Sequence, residues 1–243
     1  MEEKFSDTAQ QIGSAIEGEL LTARRQFQVR WLEVIITSLF VAGGIVLFCL
    51  GLTDLLTLSI IVFGSLWNFF TESNKLFACI MAFFMCVVYG FVCGSMLVYG
   101  HAFLHLMFYL PTQLIYYYES QKNEDNNISH TKKLTTAGYI GTVVAGWVFA
   151  FGLGAVLCKL GDPYYIIDAL STTLLVVSVF LVNGKYKEYY VVRIVACVCA
   201  AIMWLTIAVA QDFTNGTLIF MMLFIMYSIV DSVKFYRWSK QAK

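Results

Sequence analysis

The chain is short of charge. Charged residues make up 13% of its 243 positions and hydrophobic residues 59%, whereas a soluble domain usually carries about 25% charged residues. Lysine plus arginine and aspartate plus glutamate number 16 each, so no basic excess indicates a nucleic-acid partner. The composition disfavours a soluble domain and favours a protein whose surroundings are largely lipid.

Paired cysteines, a cleavable leader and a cluster of metal ligands are also lacking. The seven cysteines lie in or beside apolar segments without CxxC spacing, and we interpret them as small packing residues. The polar residues 1–30 contain no short apolar run with a small-residue cleavage site, so we expect a cytoplasmic N-terminal segment. His101 and His105 share one apolar segment but His130 lies in a polar linker, which leaves too few ligands for zinc. We expect no metal and no cofactor.

Long hydrophobic runs dominate the rest of the chain. A helix needs about 20 apolar residues to cross the hydrocarbon core of a bilayer. The sequence therefore predicts an all-α membrane protein with about eight transmembrane helices, near residues 31–52, 55–71, 76–99, 101–118, 137–158, 164–183, 188–210 and 216–236.

The positive residues predict the orientation of these spans. If the spans alternate in direction, all but two of the 16 lysines and arginines fall on one side of the membrane. The exceptions are Lys159, on the opposite side, and Arg193, inside the seventh span near its cytoplasmic end. Since lysine and arginine concentrate in cytoplasmic loops, we expect a multi-pass protein of the cell membrane with both termini in the cytoplasm.

Spans four and eight end alike. The segment YLPTQLIYYYESQK, which starts at Tyr109, aligns without a gap with YSIVDSVKFYRWSK, which starts at Tyr227, and Gln113 then lies opposite Asp231. Parallel triple-helix repeats of this kind occur in some transporters. We expect a cytoplasmic segment 1–30, an extra transmembrane helix 31–52, a first triple-helix repeat 55–122, a linker helix 137–158 and a second triple-helix repeat 164–240.

Polar residues recur along the fourth span. A spacing of four residues places on one helix face the side chains of His101, His105, Tyr109, Gln113 and Tyr117. A carboxamide facing lipid would lack partners, and Pro111 loosens the turn before it, as in the broken helices of transporters. The pattern predicts that this helix lines a substrate path; an interhelical hydrogen bond beside a structural kink is the alternative.

Acidic and aromatic residues supply further candidates. A carboxylate inside a span, such as Asp231, marks function by default, although an ion pair with Lys234 or Arg237 at the membrane surface is the alternative. Asp168 opens the sixth span, where a helix cap or a first-turn charge explains it. Aromatic faces suit a flat, cationic heterocycle. The candidate substrate-binding residues are Gln113, Tyr109, His105, Trp67, Asn68, Tyr190, Trp204, Tyr227 and Asp231.

Two stretches resemble the PnuC family of bacterial vitamin-precursor transporters, in particular its Gram-positive branch. They are YGHAFLHLMFYLPTQ (99–113), and DALSTTLLVVSVFL followed by KYKEYY (168–190). The resemblance runs from about residue 55 to 240 and implies the 3+1+3 helix plan of SWEET-type transporters with an added N-terminal helix. It also implies passive import of nicotinamide riboside, thiamine or riboflavin, followed by trapping through phosphorylation in the cytosol.

The seventh span departs from the family pattern. Tyr189 and Tyr190 stand where an amide–tryptophan pair is usual, Cys197 replaces an asparagine, and Arg193 replaces a tryptophan. Loss of amides removes specific hydrogen bonds to a substrate. Arg193 could favour an anionic or phosphorylated substrate, or simply extend to the membrane surface.

The function expected from the sequence is facilitated transport of nicotinamide riboside or a related vitamin precursor by alternating access. Transport of thiamine, riboflavin or a nucleoside is the alternative, and a non-transporting membrane subunit is a third interpretation. No set of nucleophile, base and orienting group indicates an enzyme. The expected partners are a small-molecule substrate and the lipid bilayer, and a homo-oligomer is compatible with the sequence.

Overall fold

The computed structural model describes residues 31–70, 75–122, 132–213 and 216–241. Each predicted span corresponds to helix, whereas the predicted N-terminal segment 1–30 and His130 lie outside the described residues. The all-helical class is confirmed. The elements are α1 (Trp31–Cys49), α2 (Leu55–Phe70), α3 (Lys75–Ser95), α4 (Tyr99–Phe103), a π-helix (Leu104–Tyr109), α5 (Leu110–Lys122), α6 (Thr136–Lys159), α7 (Tyr165–Asn183), α8 (Tyr189–Ala210) and α9 (Thr217–Gln241).

Six helices of the described chain are long and apolar enough to cross a membrane, namely α1, α3, α6, α7, α8 and α9. Helix α2 is apolar but has 16 residues, and the fourth predicted span is divided among α4, the π-helix and α5. These lengths and compositions support a multi-pass membrane protein.

Short polar residues begin two of the helices. The Asp54 carboxylate accepts a hydrogen bond from the Thr57 amide at 2.6 Å at the start of α2. The Thr135 hydroxyl accepts one from the Gly138 amide at 3.1 Å and caps α6. Each cap satisfies an amide that has no partner within its own helix.

The helices of the core form two groups, one from α2 to α5 and one from α7 to α9. Helix α3 packs between α2 and the α4–π–α5 segment, and α8 packs between α7 and α9. The groups meet where α2 contacts α9 and where α4 and the π-helix contact α7. Between them lies a core of fully buried rings, including Tyr89, Trp204 and Phe220.

Helices α1 and α6 lie at the periphery. Gly44 lets α1 approach the core closely, because a Cβ atom there would lie 3.1 Å from Ile61 on α2 and 3.3 Å from Ile219 on α9. Helix α6 packs against α7, and among its residues only Leu157 is buried. A short bridge between Lys132 and Tyr186 ties the chain before α6 to the loop between α7 and α8.

The π-helix follows from Pro111. Proline cannot donate a backbone hydrogen bond, and its ring clashes with the carbonyl four residues earlier in an α-helix. Here the clash is relieved by a wider turn over Leu104–Tyr109, which ends with the Leu110 amide donating to the His105 carbonyl. Such turns are frequent at functional sites, and this one carries two of the predicted site residues, His105 and Tyr109.

Candidate functional site

A cavity lies at the centre of the molecule, between the two groups of helices. Its volume is about 10 Å³, which is room for about one water molecule. Elements of both groups contribute its lining, which consists of Trp67, Met85, His105, Tyr109, Leu175, Arg193, Cys197, Phe224 and Tyr227.

Aromatic rings form one side of this cavity. The ring of Trp67 meets Tyr109 edge-on at a centroid distance of 6.5 Å and Tyr227 at 6.0 Å. Phe224 lies one turn before Tyr227 on α9, with 6.3 Å between the ring centroids. Ring faces and edges in this arrangement suit a flat heterocycle.

A buried ion pair between α8 and α9 lies beside the cavity. Nε of Arg193 lies 2.9 Å from Oδ2 of Asp231, and their side chains are 16% and 7% exposed. The guanidinium also donates to the Tyr189 hydroxyl and lies 5.6 and 5.9 Å from the ring centroids of Tyr189 and Tyr227. Arg193 therefore faces the protein interior, and the interpretation that it merely extends to the membrane surface is wrong.

Asp231 is buried in the protein and paired with a residue of a neighbouring helix. The sequence left open an ion pair with Lys234 or Arg237, but the carboxylate contacts Arg193. The Lys234 ammonium instead donates to Oδ1 of Asn68 at 3.0 Å, which joins α9 to α2.

His105 presents a defined edge to the cavity. Its Nδ1 lies 2.9 Å from the His101 carbonyl oxygen, one turn earlier. The rings of Tyr89 and Tyr109 lie next to it, at centroid distances of 4.0 and 5.1 Å. The imidazole is 4% exposed and lines the cavity, so its Nε2 edge faces away from the helix backbone.

A chain of hydrogen bonds joins α8, α3, α4 and α7. The Trp204 indole donates to the Tyr89 hydroxyl at 2.9 Å, and that hydroxyl lies 2.9 Å from Nδ1 of His101. Nε2 of His101 lies 3.0 Å from the Ser171 hydroxyl, which donates to the Ile167 carbonyl at 2.8 Å. Because Ser171 donates its only proton to that carbonyl, His101 must donate through Nε2 and accept from Tyr89 through Nδ1.

Asp168 joins two helix N-termini. It lies in the first turn of α7, as one of the sequence interpretations had it. Its two oxygens accept from the amides of Gly100 and His101 at 2.7 and 3.1 Å, and one also accepts from the Thr172 hydroxyl at 3.1 Å. The carboxylate thus caps α4 from a neighbouring helix, at the positive ends of two helix dipoles.

The structure brings together four of the predicted site residues at the cavity, namely Trp67, His105, Tyr109 and Tyr227. Asp231 lies behind them, bound to Arg193. The other four, which lie outside the lining, are Asn68, Gln113, Tyr190 and Trp204.

Each of these four residues makes contacts away from the cavity lining. Asn68 accepts from Lys234, Tyr190 packs against Phe235 at a centroid distance of 6.1 Å, and Trp204 belongs to the hydrogen-bond chain. Gln113 is half-buried, and its backbone carbonyl accepts a weak hydrogen bond from the Cys79 thiol at 3.8 Å.

Sequence reasoning overlooked several residues of the lining. Met85, Leu175 and Phe224 are apolar side chains in apolar helices, and no sequence signal separates them from the core. Arg193 and Cys197 did carry a signal, since both depart from the family pattern, but neither was among the predicted site residues.

The loop between α7 and α8 is tied to the start of α6 by Glu188. Its Oε1 accepts from the Tyr139 hydroxyl at 2.7 Å and from the Leu134 amide at 3.3 Å. Burial raises the pKa of Glu188, but these hydrogen bonds and the nearby Lys187 ammonium outweigh it and hold the pKa below its ordinary value. Burial and the neighbouring Lys133 lower the pKa of Lys187.

Residues 31–70, 75–122, 132–213 and 216–241 contain no group of three or more histidine, cysteine, aspartate or glutamate side chains placed to hold a metal ion. The cavity instead combines aromatic walls, an imidazole and a buried guanidinium. These groups can stack on a flat ring and exchange hydrogen bonds with polar substituents.

Comparison with known proteins gives the family. The solved structure of the vitamin B3 transporter PnuC superposes with a TM-score of 0.69 at 20% sequence identity, covering 86% of this chain and 91% of that chain, and this likeness shows the fold. No curated protein matches the chain significantly by sequence. The family model described as "Nicotinamide mononucleotide transporter" matches residues 54–240. The chain therefore belongs to the PnuC family, the family of this nicotinamide mononucleotide transporter model.

Proposed function

We propose that the protein is a facilitative transporter of nicotinamide riboside or a closely related vitamin precursor. The central cavity carries this proposal, because side chains from both groups of helices line it and because its walls are aromatic. A pyridinium ring can stack on tryptophan and tyrosine, which also attract its positive charge. Phosphorylation of the substrate in the cytosol would keep the transport running inward.

The transport cycle proceeds by rocking of residues 55–122 against 164–240, the two triple-helix repeats of a 3+1+3 plan. Both termini face the cytoplasm of the cell membrane, with α1 as the extra helix and α6 as the linker. The peripheral position of α6 supports this plan, because a linker helix can leave the contacts between the repeats undisturbed.

Two junctions between the repeats act as the gates. On the outer side, the Asp168 carboxylate of α7 binds the amides of Gly100 and His101 at the start of α4. On the inner side, Lys234 of α9 binds Asn68 of α2. Opening one junction while the other holds exposes the cavity to one side of the membrane at a time.

Substrate binding requires side chains to move. The cavity admits little more than one water molecule, so a vitamin precursor has to displace the rings of Trp67, Tyr109 or Tyr227. The hydroxyl of Tyr227 points toward Gly64. A Cβ atom at position 64 would lie 2.5 Å from this hydroxyl oxygen, so only glycine at position 64 leaves space for the ring.

Uptake into liposomes tests the proposal. Purified protein in proteoliposomes preloaded with unlabelled nicotinamide riboside should accumulate the labelled compound by exchange, whereas protein-free liposomes should not. The rate should saturate with concentration and should not change when ionophores abolish ion gradients. No saturable exchange would contradict the proposal, and a collapse of exchange on adding an ionophore would contradict facilitated transport.

A substrate with an anionic group is the second candidate, and one observation favours it. The guanidinium of Arg193 lines the cavity, where a phosphate could bind it more tightly than a neutral sugar would. Titration of the purified protein with nicotinamide riboside, nicotinamide mononucleotide, thiamine, riboflavin and a nucleoside separates the candidates. If the mononucleotide binds more tightly than the riboside, and Arg193→Gln reverses that order, the phosphorylated substrate is the correct one.

A further inference from the structure

The hydrogen bond of His105 shows which of its two ring nitrogens carries the proton. A backbone carbonyl can only accept, so the contact of 2.9 Å between Nδ1 of His105 and the His101 oxygen requires the proton to be on Nδ1. A neutral imidazole carries one proton, and Nε2 then has a lone pair and no hydrogen. Among the hydrogen bonds of the described residues, His105 uses only Nδ1.

The surroundings keep this imidazole neutral. The ring is buried between the tyrosine rings of positions 89 and 109, and no carboxylate belongs to the described residues that line the cavity. Arg193 is the one cation among the described residues of the lining, and it is already paired with Asp231. A buried charge without a partner is costly, so Nε2 faces the cavity as an acceptor.

The cavity is polar at one end and apolar at the other. Arg193, bound to Asp231 and Tyr189, forms the polar end. Phe224, about two turns before Asp231 on α9, packs its ring 5.5 Å from that of His101, which lies one turn before His105. A ligand with a flat ring and a polyhydroxyl part is therefore oriented with its ring toward His105 and its sugar toward Arg193.

We infer that His105 is a specificity-determining residue, whose Nε2 accepts a hydrogen bond from a primary carboxamide N–H on the ring of the transported molecule. The inference rests on the proposed function and assigns the direction of this contact. An acceptor at this point selects ring substituents that carry an N–H donor. It rejects isosteric substituents that offer only an oxygen, because two acceptors then face each other without a proton.

A matched pair of ligands tests the direction of the hydrogen bond. In 3-acetylpyridine riboside a methyl group replaces the amide nitrogen of nicotinamide riboside, while ring, sugar and positive charge stay the same. Titration of the full-length protein should give an affinity about tenfold or more higher for the amide, the effect of one lost hydrogen bond. Equal affinities would overturn the inference alone, whereas binding of neither compound would overturn the proposed function with it.

A matched pair of variants tests the residue. His105→Gln places a polar atom near the position of Nε2, and His105→Asn places one near Nδ1. The glutamine variant should keep the preference for the amide within about threefold, whereas the asparagine variant should lose it. The opposite result would show that the bond to the His101 carbonyl matters and that His105 is structural. Thermal unfolding of both variants checks that they fold, and the ligand pair on the unmodified protein decides the question if they do not.

Discussion

At the scale of single residues, Asp168 shows how a buried carboxylate can hold two helices at once. It begins α7 and receives the first amides of α4, so its charge lies at two helix N-termini. Hydrogen bonds to charged groups are among the stronger ones in proteins. This side chain therefore holds α7 against the start of α4.

Asp168→Asn should destabilise the protein. An amide offers one acceptor oxygen where the carboxylate offers two, and its NH2 group would face backbone donors. We expect a loss of about 1–3 kcal/mol, measured as a lower unfolding temperature in detergent.

Asp54→Asn is the matched control, because Asp54 is exposed at the start of α2 and asparagine caps a helix as well as aspartate does. This variant should unfold close to the temperature of the original protein. An equal loss in both variants would contradict the role of Asp168.

The sequence could indicate Asp168 but not its partners. A carboxylate in the first turn of a predicted helix is a local pattern, and it was interpreted locally, as a cap or a charge near its own helix dipole. The amides that it binds belong to residues 100 and 101, and only the packing of α4 against α7 brings them within reach.

At the scale of elements, the π-helix explains why the polar stripe of the fourth span divides. One residue more per turn rotates the following helix by about 100° relative to a regular α-helix. His105 and Tyr109 lie within the π-helix and line the cavity. Gln113 follows it on α5 and lies outside the lining, although a constant spacing of four had placed all three on one face.

Pro111→Ala should separate stability from binding. Proline in a helix interior costs about 3 kcal/mol or more, so the alanine variant should be at least as stable as the original protein. The turn can then tighten to a regular α-helix, which rotates His105 and Tyr109 relative to each other. We expect nicotinamide riboside to bind about tenfold more weakly, a loss of roughly 1.4 kcal/mol.

Pro163→Ala is the control for that variant. Pro163 is the second proline of the chain and lies exposed in the turn between α6 and α7. Its replacement should leave the affinity unchanged. If Pro111→Ala also leaves the affinity unchanged, the π-helix has no part in shaping the binding site.

At the scale of the whole molecule, the helices could be predicted from the sequence, but the side-chain pairs between them could not. Each helix follows from a run of apolar residues, which is a local property, and the observed bounds lie within a few residues of the predicted ones. The pairing of Arg193 with Asp231, and of Lys234 with Asn68, depends on which helices become neighbours. Single-sequence patterns contain no information on that choice.

The proposed inner junction between Asn68 and Lys234 gives a prediction for the opening of the cavity. Asn68→Ala removes the acceptor of the Lys234 ammonium and should favour conformations in which the cavity is open to the cytoplasm. Cys197 lines the cavity and is 1% exposed. Its modification by a small hydrophilic thiol reagent, followed by mass spectrometry of the peptide, should become several-fold faster.

Asn183→Ala is the control for this experiment, because it makes the same change at an exposed residue at the end of α7. The rate of Cys197 modification should not change there. Nicotinamide riboside should slow the reaction in all three proteins. Unaltered reactivity in Asn68→Ala would exclude the junction of Asn68 and Lys234 as a gate.

Helix α6 is longer than the hydrocarbon core of a bilayer is thick. Its 24 residues give a length of about 36 Å, whereas the hydrocarbon core of a bilayer measures about 30 Å. A tilt of roughly 30° removes this hydrophobic mismatch. Because only Leu157 of the helix is buried, α6 can change its tilt with less loss of packing than the helices around the cavity. Lipids with shorter or longer acyl chains should therefore alter the inclination of α6 before they disturb the helices around the cavity.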